Sequence, residues 1–409
     1  MNVLLDKRAT DPGRVAPFSP SRMDIRHLVF DMCAAHDLEA NGVYSVARQL
    51  AAEQIAAGER ARIIFLREKD REMPSEPPDV PMQVLTLAGR EVLGRRVSMN
   101  ADILDAMTAP SSGPPFFHIH AARQPLLVPV VLRLRKLGIP YAMTIHGRYS
   151  HVFDRHNRPT HRLSSLYLQH VERRVLEGAR FVQGVSAAEC ELIRRIAPRA
   201  LVELVPNAAY SSRFEGQPHA PQRASPSSRF PIFGFLGRYE IEHKGLDLLI
   251  AGFAAYRSAG GKGQLGLVGT GPARETVAAQ ARELGVAEFV TIDGPRFGAE
   301  KARTLAAWDY FVMPSRYEGV PIGALEAGLA GLPLLVTAET GLREPVAGFG
   351  AGFGIDVLTP DAVAQTLMQA ERCTADAWLR MSEAAYRMAL SIGDWTTIAA
   401  QLVSLYRRA

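Results

Sequence analysis

Short apolar segments alternate with longer segments of helical periodicity along most of the chain. The first unit runs from an apolar segment at 27–31, through a loop that contains glycine, to a segment at 43–55 whose apolar residues recur with helical spacing. A second apolar segment follows at 62–66. Strand, loop, helix and strand in this order predict a βαβ unit, and its repetition as far as residue 205 is typical of an open parallel sheet.

A polar segment rich in serine and proline, residues 211–229, interrupts this alternation. A second series of apolar segments begins at residue 232, so we expect a second doubly wound α/β domain. The tail is helical in spacing, and the sequence leaves open which domain it packs against. The expected organisation is an N-terminal arm at 1–25, a first Rossmann-like domain at 26–210, a linker at 211–229, a second Rossmann-like domain at 230–390 and a C-terminal helix at 391–409.

The ends of the predicted strands are where this architecture places its ligands. In open α/β sheets, ligands bind outside the carboxyl ends of the strands. Two such sheets that face each other bring these ends to one cleft, and clefts between domains are frequent ligand sites. Functional residues are therefore expected just after the predicted strands.

The composition is that of a globular protein able to bury a large core, since 47% of the 409 residues are hydrophobic and 22% are charged. No segment approaches the roughly 18 apolar residues that a membrane-spanning helix needs, and charges in the first 25 residues argue against a secretory signal. Three widely spaced cysteines, Cys33, Cys190 and Cys373, indicate no disulfide framework. These features predict a cytoplasmic protein.

Positive charge is concentrated in the first half of the chain. The net charge is +5, and residues 121–180 alone carry 11 basic side chains against 3 acidic ones. This distribution favours anionic partners, although solvated surface arginines explain it equally well. Interleaved aromatic residues and nucleic-acid modules are absent from the sequence, so no nucleic-acid partner is expected. A peripheral contact with an anionic membrane surface, at the inner face of the cell membrane, stays open.

Two glutamates eight residues apart follow a predicted strand at 310–313. The second of them, Glu326, lies in a segment otherwise made of alanine, glycine and leucine. A carboxylate buried in such surroundings is costly unless it is hydrogen-bonded, so Glu326 should have a structural partner or a ligand. Ionised carboxylates such as Glu318 and Glu326 are good acceptors for vicinal sugar hydroxyls.

Arg238 and Lys244 stand between a predicted strand at 232–236 and an apolar helix at 246–256. Cations at the end of a strand are suited to bind phosphates and to neutralise the charge on a departing diphosphate. An arginine and a lysine at this spacing are common, so the assignment of the two residues to phosphate binding depends on the strand before them and the helix after them.

These segments resemble the signature motifs of retaining glycosyltransferases with the GT-B fold, in particular glycosyltransferase family 4. Residues 314–333 resemble the family's Glu-x7-Glu motif with its flanking Glu-Gly-x-Pro and Gly-x-Pro elements, and residues 234–250 resemble its Gly-Arg and Lys-Gly element. The resemblance implies an α/β GT-B fold, in which two Rossmann-like doubly wound domains face each other across a cleft.

The resemblance also assigns roles to residues of the second domain. Glu318 would approach the donor sugar, and Glu326 would bind the ribose hydroxyls of the nucleotide. Arg238 and Lys244 would hold the donor diphosphate. The implied catalytic residues are His146, Arg238, Lys244 and Glu318, and the implied donor-binding residues are Gly42, Arg238, Lys244, Glu318, Ile322, Gly323 and Glu326.

Weaker matches place residues of the first domain at the same cleft. His146 ends a predicted strand and resembles the family histidine that contacts the hydroxyls or phosphate of the donor. Gly42 stands where the family has a glycine loop near the diphosphate, in which a missing side chain lets phosphate approach backbone N–H groups. His120 and Asn41 are assigned to the acceptor or the sugar.

The resemblance implies transfer of a hexose-type sugar from a UDP- or GDP-sugar to a saccharide or lipid-linked acceptor, in the synthesis of a bacterial polysaccharide or glycolipid. The nucleotide sugar would be a co-substrate, and no cofactor is expected. The sequence contains no Asp-x-Asp motif and no His/Cys cluster, so no metal ion is expected either. Two alternatives remain open, a non-hydrolysing nucleotide-sugar epimerase and a catalytically inactive partner in a polysaccharide assembly complex.

Overall fold

The computed structural model describes residues 22–30, 41–68, 79–87, 91–92, 95–96, 99–149, 166–213, 218 and 230–408, with the backbone alone at 91–92 and 95–96. Several expected features therefore lie outside the described residues: the first 21 residues of the N-terminal arm, Cys33, part of the basic segment at 150–165 and most of the expected linker.

The first domain is built on a sheet in which every strand pairing is parallel. Its strands are β1 (Asp24–Phe30), β2 (Arg60–Arg67), β3 (Met82–Thr86), β6 (Pro115–His120), β7 (Tyr141–Thr144), β8 (Val182–Gly184) and β9 (Val202–Leu204). Two further strands, β4 (Glu91–Val92) and β5 (Arg95–Arg96), form a separate short antiparallel pair. The order in the sheet is β3-β2-β1-β6-β7-β8-β9. All residues of β1 are buried, as expected for a central strand covered on both faces.

The second domain has a parallel sheet of its own. Its strands are β10 (Ile232–Leu236), β11 (Gln264–Val268), β12 (Val290–Asp293), β13 (Tyr310–Met313), β14 (Leu334–Thr337) and β15 (Gly352–Ile355). They lie in the order β12-β11-β10-β13-β14-β15. The strand order reverses between β10 and β13, and in the first sheet between β1 and β6. These are the positions at which doubly wound sheets bind ligands.

Helices cover both sheets. They are α1 (Gly42–Ala56), α2 (Ala101–Thr108), α3 (Leu127–Lys136), α4 (Arg173–Glu177), α5 (Ala187–Ile196), α6 (Ile241–Lys244), α7 (Leu246–Ser258), α8 (Arg274–Glu283), α9 (Gly298–Ala307), α10 (Ile322–Leu329), α11 (Arg343–Phe349), α12 (Pro360–Glu371), α13 (Ala375–Ile392) and α14 (Trp395–Arg407). A π-helical turn, Leu168–Glu172, leads into α4, and 3-10 turns lie at Ala287–Phe289 and Ala338–Thr340. The prediction of two doubly wound α/β domains is confirmed.

The C-terminal helix α14 packs against the first domain, which settles the question that the sequence left open. Its apolar face joins the core formed by α1 and the first sheet. The ring of Tyr406 lies 4.4 Å from that of Phe116, and its hydroxyl lies 2.6 Å from Nδ1 of His118. The chain therefore returns from the second domain to close the core of the first.

The two domains touch through glycines beside the cleft. Gly147 has a φ of 77°, and a Cβ on it would lie 2.4 Å from the backbone nitrogen of Gly319. A Cβ on Gly319 would lie 2.5 Å from Cγ2 of Val185. Since real side chains never approach so closely, this contact requires glycine on both sides.

Candidate functional site

The carboxyl ends of strands from both sheets border one cavity of about 290 Å³. Residues that follow β1, β6 and β7 line it from the first domain, and residues that follow β10 and β13 line it from the second. The sequence-predicted site residues that line this cavity are Asn41, Gly42, His120, His146, Arg238, Lys244, Glu318, Ile322, Gly323 and Glu326. The structure thus brings all of them together, while their individual roles stay predictions.

Glu318 lies in the loop between β13 and α10, where several side chains hold its carboxylate. Lys244 forms an ion pair with it, His243 Nε2 lies 3.3 Å from Oε1, and Ser315 donates a hydrogen bond of 3.2 Å. Burial by itself raises the pKa of Glu318, but the charges of Lys244 and His243 outweigh burial and hold this pKa well below its usual range. Glu318 is therefore ionised at physiological pH and can only accept hydrogen bonds.

A second carboxylate extends this network towards Arg238. Glu240 accepts from Arg238 at 2.8 Å and lies 3.1 Å from Nδ1 of His243. Since His243 also contacts Glu318, one connected network of side chains runs from Arg238 to Lys244. The sequence pattern singled out the two outer cations but missed Glu240 and His243, which stand between them in the chain.

Glu326 has the partner that its apolar surroundings require. Lys301 of α9 donates to the Oε1 of Glu326 at 2.6 Å, and the Glu326 side chain is 19% exposed. Both residues line the cavity. Lys301 was missed because it stands 25 residues earlier in the chain, on a different helix.

The amino end of α10 also borders the cavity, through Ile322 and Gly323. Within the described part of the chain, no side chain caps this end. The first backbone N–H groups of a helix have no intrahelical acceptor, and the helix dipole makes this end positive. The end of α10 is therefore suited to bind an anion.

Asn41 caps helix α1. Its side-chain oxygen accepts from the backbone N–H groups of Val43 and Tyr44, at 3.1 and 3.3 Å. A phosphate that binds these two N–H groups would have to displace Asn41. Gly42 follows as the first residue of α1, and a Cβ there would meet no atom of the described residues within 4 Å, so a close ligand remains the predicted reason for this glycine.

His146 adopts a backbone conformation that is unusual for a residue with a side chain, with a φ of 55°. Such a conformation costs about 1–3 kcal/mol and persists only where the surroundings enforce it. Here Glu189 accepts a 2.6 Å hydrogen bond from the N–H of Gly147 and one of 2.7 Å from that of Val185. Burial, assisted by the charge of Arg148, lowers the pKa of His146 to about 3, so its ring is neutral at physiological pH.

A cluster of buried histidines lies behind His146. His120 Nδ1 lies 3.0 Å from His146 Nε2, and His120 Nε2 lies 2.9 Å from His27 Nδ1. The ring of His118 stacks on that of His120 at 4.4 Å. The expectation that the chain has no histidine cluster is wrong, because it rested on local spacing whereas β1 and β6 are neighbours in the sheet.

The cluster has a donor set that a metal ion could use, since ring nitrogens of His27, His118 and His120 lie within 4.8 Å of one another. Each ring nitrogen already has a protein partner, however: Gln54 and His120 for His27, Tyr406 and Thr144 for His118, and His27 and His146 for His120. A metal ion would have to displace these partners.

Further residues at the cavity carried no recognisable signal in the sequence. Phe297, with 37% of its surface exposed, and Arg296 lie in the segment between β12 and α9. Arg148 borders the cavity from the first domain. Only the folded chain shows that these residues line the same cavity as Glu326 and His146.

Comparison with known proteins agrees with this arrangement. Residues 230–371 match the family model described as "Glycosyl transferases group 1", and residues 41–208 match the "Glycosyl transferase 4-like domain". In the structure these segments fall in the second and the first Rossmann-like domain.

The chain is similar to proteins of several bacteria. A 2-deoxystreptamine N-acetyl-D-glucosaminyltransferase of Streptomyces fradiae is 30% identical over 246 residues, or 57% of each chain. A GDP-mannose-dependent alpha-(1-6)-phosphatidylinositol monomannoside mannosyltransferase of Mycobacterium tuberculosis is 30% identical over 254 residues, which are 58% of this chain and 64% of the relative. The chain thus matches less than two thirds of the length of these relatives.

The fold is shared with a sucrose-phosphate synthase of Thermosynechococcus elongatus. The TM-score is 0.72 at 21% identity, and the superposition covers 95% of this chain and 99% of the other. Among the helices of the described residues, none combines the length and apolar character that crossing a bilayer requires. With both domains matched and the two facing sheets in place, the chain belongs to the group 1 glycosyltransferases of the family 4 type, which have the GT-B fold.

Proposed function

We propose that the chain is a retaining, metal-independent glycosyltransferase that transfers a hexose-type sugar from a UDP- or GDP-sugar to a saccharide or lipid-linked acceptor. One observation carries this proposal, the meeting at a single cavity of two cations, two carboxylates and a histidine of the opposite domain: Arg238, Lys244, Glu318, Glu326 and His146. The names of the relatives, a glycosaminyltransferase and a GDP-mannose-dependent mannosyltransferase, support the donor class.

The donor diphosphate is proposed to bind at the end of β10. Arg238 and Lys244 lie there, and the positive end of α10 lies on the same cavity. As the sugar leaves, negative charge grows on the diphosphate, and preorganised cations stabilise that charge most where water is excluded. Arg238 is paired with Glu240 and Lys244 with Glu318, and each cation has further N–H donors that phosphate oxygens can bind.

The same cations support the proposed metal independence. Two positive side chains and a helix end supply the charge that a divalent ion supplies to a diphosphate in other sites. No cofactor takes part, and the nucleotide sugar is consumed as a co-substrate.

The nucleoside is proposed to lie towards α9 and α10. An ionised carboxylate such as Glu326 accepts hydrogen bonds from both hydroxyls of a ribose. Lys301, its partner at 2.6 Å, orients the carboxylate. The exposed ring of Phe297 offers an apolar surface beside this position.

Retention of anomeric configuration is proposed from the resemblance of residues 234–250 and 314–333 to the motifs of retaining glycosyltransferases, and it implies attack from the face that the diphosphate leaves. Glu318 is the carboxylate of the sugar site, and Lys244 and His243 hold it as an ionised acceptor for sugar hydroxyls. The acceptor hydroxyl then forms the new bond as the bond to the diphosphate breaks, and its proton passes to the leaving phosphate oxygen. The protein acts by positioning and by stabilising charge.

The acceptor is proposed to be a saccharide or a lipid-linked sugar of a bacterial polysaccharide or glycolipid, met at the inner face of the cell membrane. The end of α3 supports a membrane contact, because Leu132 and Leu137, 60% and 44% exposed, stand beside the exposed Arg135 and Lys136. Exposed leucines among basic side chains suit an anionic membrane surface.

The test is an assay of the full chain with UDP- and GDP-hexoses, with and without an aminocyclitol or a phosphatidylinositol mannoside as acceptor, in the presence of EDTA. We expect a glycosylated product whose anomeric configuration, read by NMR, equals that of the donor. Inversion, or activity that requires a divalent ion, would refute the corresponding part of the proposal. A changed sugar nucleotide without acceptor would identify an epimerase, and donor binding without any turnover would identify an inactive partner.

A further inference from the structure

A chain of hydrogen bonds runs from helix α1 through the core of the first domain to the cavity. Gln54 Oε1 lies 2.8 Å from Nε2 of His27, whose Nδ1 lies 2.9 Å from Nε2 of His120. The Nδ1 of His120 lies 3.0 Å from Nε2 of His146. Gln54 and His27 are fully buried, and His120 is 3% exposed, so water does not compete for these contacts. The histidine relay, as we call Gln54, His27, His120 and His146, is thus continuous and dry at its inner end.

The rings of the relay are neutral. Burial lowers the pKa of His27 to about 4 and that of His146 to about 3, and it holds the pKa of His120 well below its usual range. A neutral imidazole carries one N–H and one lone pair. Each ring must therefore donate at one nitrogen and accept at the other.

The amide of Gln54 sets the direction of the relay. Its Oε1 can only accept, so the proton of His27 lies on Nε2 and the Nδ1 of His27 accepts from His120. The proton of His120 then lies on Nε2, and its Nδ1 accepts from Nε2 of His146. Within the described residues the Nδ1 of His146 has no protein partner, and His146 borders the cavity.

We propose that Gln54, His27 and His120 are positioning residues that hold His146 in its Nε2–H form, so that Nδ1 offers a lone pair to the cavity. His146 then accepts a hydrogen bond from a sugar hydroxyl and does not donate one to a phosphate oxygen. That His146 binds a sugar hydroxyl rests on the proposed function. The position of the proton on the His146 ring does not.

The relay does not conduct protons. An amide oxygen ends it, and Gln54 neither takes up nor releases a proton at physiological pH. A path for proton transfer between the cavity and bulk water would need a titratable group or a water molecule in place of Gln54. The relay therefore fixes one state of His146, in the way that a second hydrogen bond fixes the form of other functional histidines.

The test uses the full chain labelled with 15N in histidine. Long-range proton–nitrogen spectra distinguish protonated from unprotonated ring nitrogens, and we expect a protonated Nε2 and an unprotonated Nδ1 for His146 at neutral pH, without any substrate. Gln54→Leu removes the terminal acceptor, and His146 should then populate both forms. If Gln54→Leu does not fold, His120→Phe, which cuts the relay next to His146, should have the same effect.

Gln183→Leu is the matched control. Gln183 is equally buried and bonds Thr144 and the carbonyl of Val205, but it does not touch the relay. We expect it to leave the His146 spectrum unchanged, and we expect Gln54→Leu alone to lower kcat/KM about tenfold, the worth of one hydrogen bond.

Three results would overturn the relay: a proton on Nδ1 of His146, a charged ring at neutral pH, or a spectrum that neither Gln54→Leu nor His120→Phe alters. The wild-type spectrum alone decides the first two. If the spectra are as expected but no sugar nucleotide is turned over, the proposed function fails and the relay stands. Turnover together with the opposite proton position would refute the relay alone.

Discussion

The carboxylate of Glu318 forms an ion pair with the ammonium of Lys244, although 74 positions separate the two residues in the chain. Lys244 ends the short helix that follows β10, and Glu318 follows β13, the neighbour of β10 in the sheet. Their side chains are only 11% and 9% exposed. The pair therefore lies at the reversal of strand order, where we propose that the donor diphosphate binds.

Removal of the lysine should damage both activity and stability. Breaking a buried ion pair from one side leaves an uncompensated charge and costs about 3–5 kcal/mol. We expect Lys244→Ala to lower the free energy of unfolding by about that amount and to reduce sugar transfer at least about tenfold while the protein stays folded. Denaturant unfolding and initial rates measure the two effects. The exposed Lys262 provides the control Lys262→Ala, and unchanged turnover in Lys244→Ala would remove the assigned role.

Replacement of Glu326 should separate its pairing with Lys301 from its proposed contact with the ribose. We expect Glu326→Ala to reduce transfer at least about tenfold and to raise the KM for the donor. In the double variant with Lys301→Ala the unpaired lysine is gone, so stability should recover in part and activity should not. Recovery of activity in the double variant would mean that Glu326 serves only to pair with Lys301. Glu383→Ala, at an exposed position, is the control.

A methyl group on Gly147 should disturb the contact between the domains. Gly138 offers a matched comparison, because its φ of 67° is close to the 77° of Gly147, but a Cβ on it would meet no atom of the part of the chain that the structure describes within 4 Å. We expect Gly138→Ala to cost about 1 kcal/mol of stability, from backbone strain alone, and to leave transfer unchanged. Gly147→Ala should cost more and slow transfer, since its Cβ would lie 2.4 Å from Gly319. Equal effects of the two variants would contradict a role for this contact.

Acid should destabilise the protein through its buried histidines. In the unfolded chain these rings titrate near pH 6.5, but in the folded protein burial keeps their pKa values far lower, at about 4 for His27 and about 3 for His146. Below about pH 6.5 the unfolded chain therefore binds more protons, and the free energy of unfolding should fall by up to about 1.4 kcal/mol per pH unit for each histidine until the folded pKa is reached. The residues that act in this sense are His27, His118, His120 and His146.

Glu189 acts in the opposite sense. Burial raises its pKa to about 7, so its folded carboxyl takes up a proton before the unfolded one does. Burial also raises the pKa of Glu172, which acts in the same sense as Glu189. Two such groups do not outweigh four histidines, and urea unfolding at pH 7.5 and pH 5.0 should show lower stability at pH 5.0. His27→Gln should reduce this difference. Equal stability at the two pH values would show that the histidines titrate normally in the folded protein.

A strand that is buried on both faces could be predicted from the sequence, and two partly exposed strands could not. The apolar run at Tyr310–Met313 has the predicted bounds, and every residue in it is buried. Met82–Thr86 and Gly352–Ile355 were not anticipated, because they are partly exposed and mix polar or glycine residues with apolar ones. Hydrophobic pattern alone does not separate such segments from loops.

The same limit applies to the site. Arg238, Lys244, Glu318 and Glu326 stand in compact motifs and could be singled out from them. The pairing of Lys301 with Glu326 depends on how two helices pack, and the histidine cluster depends on which strands are neighbours. Neither the ion pair nor the histidine cluster corresponds to a recognisable spacing along the chain, so only the folded structure reveals these contacts.

Titration of the nucleoside diphosphates UDP and GDP into the wild-type chain and into Lys244→Ala, followed by calorimetry, tests the central claim most directly. We expect one of the two ligands to bind the wild type at a single site in the presence of EDTA, and Lys244→Ala to weaken binding at least about tenfold, as the loss of a charge-assisted contact requires. Equal affinity in the two proteins, or no binding of either ligand to the wild type, would contradict the proposal that these converging residues form a donor site.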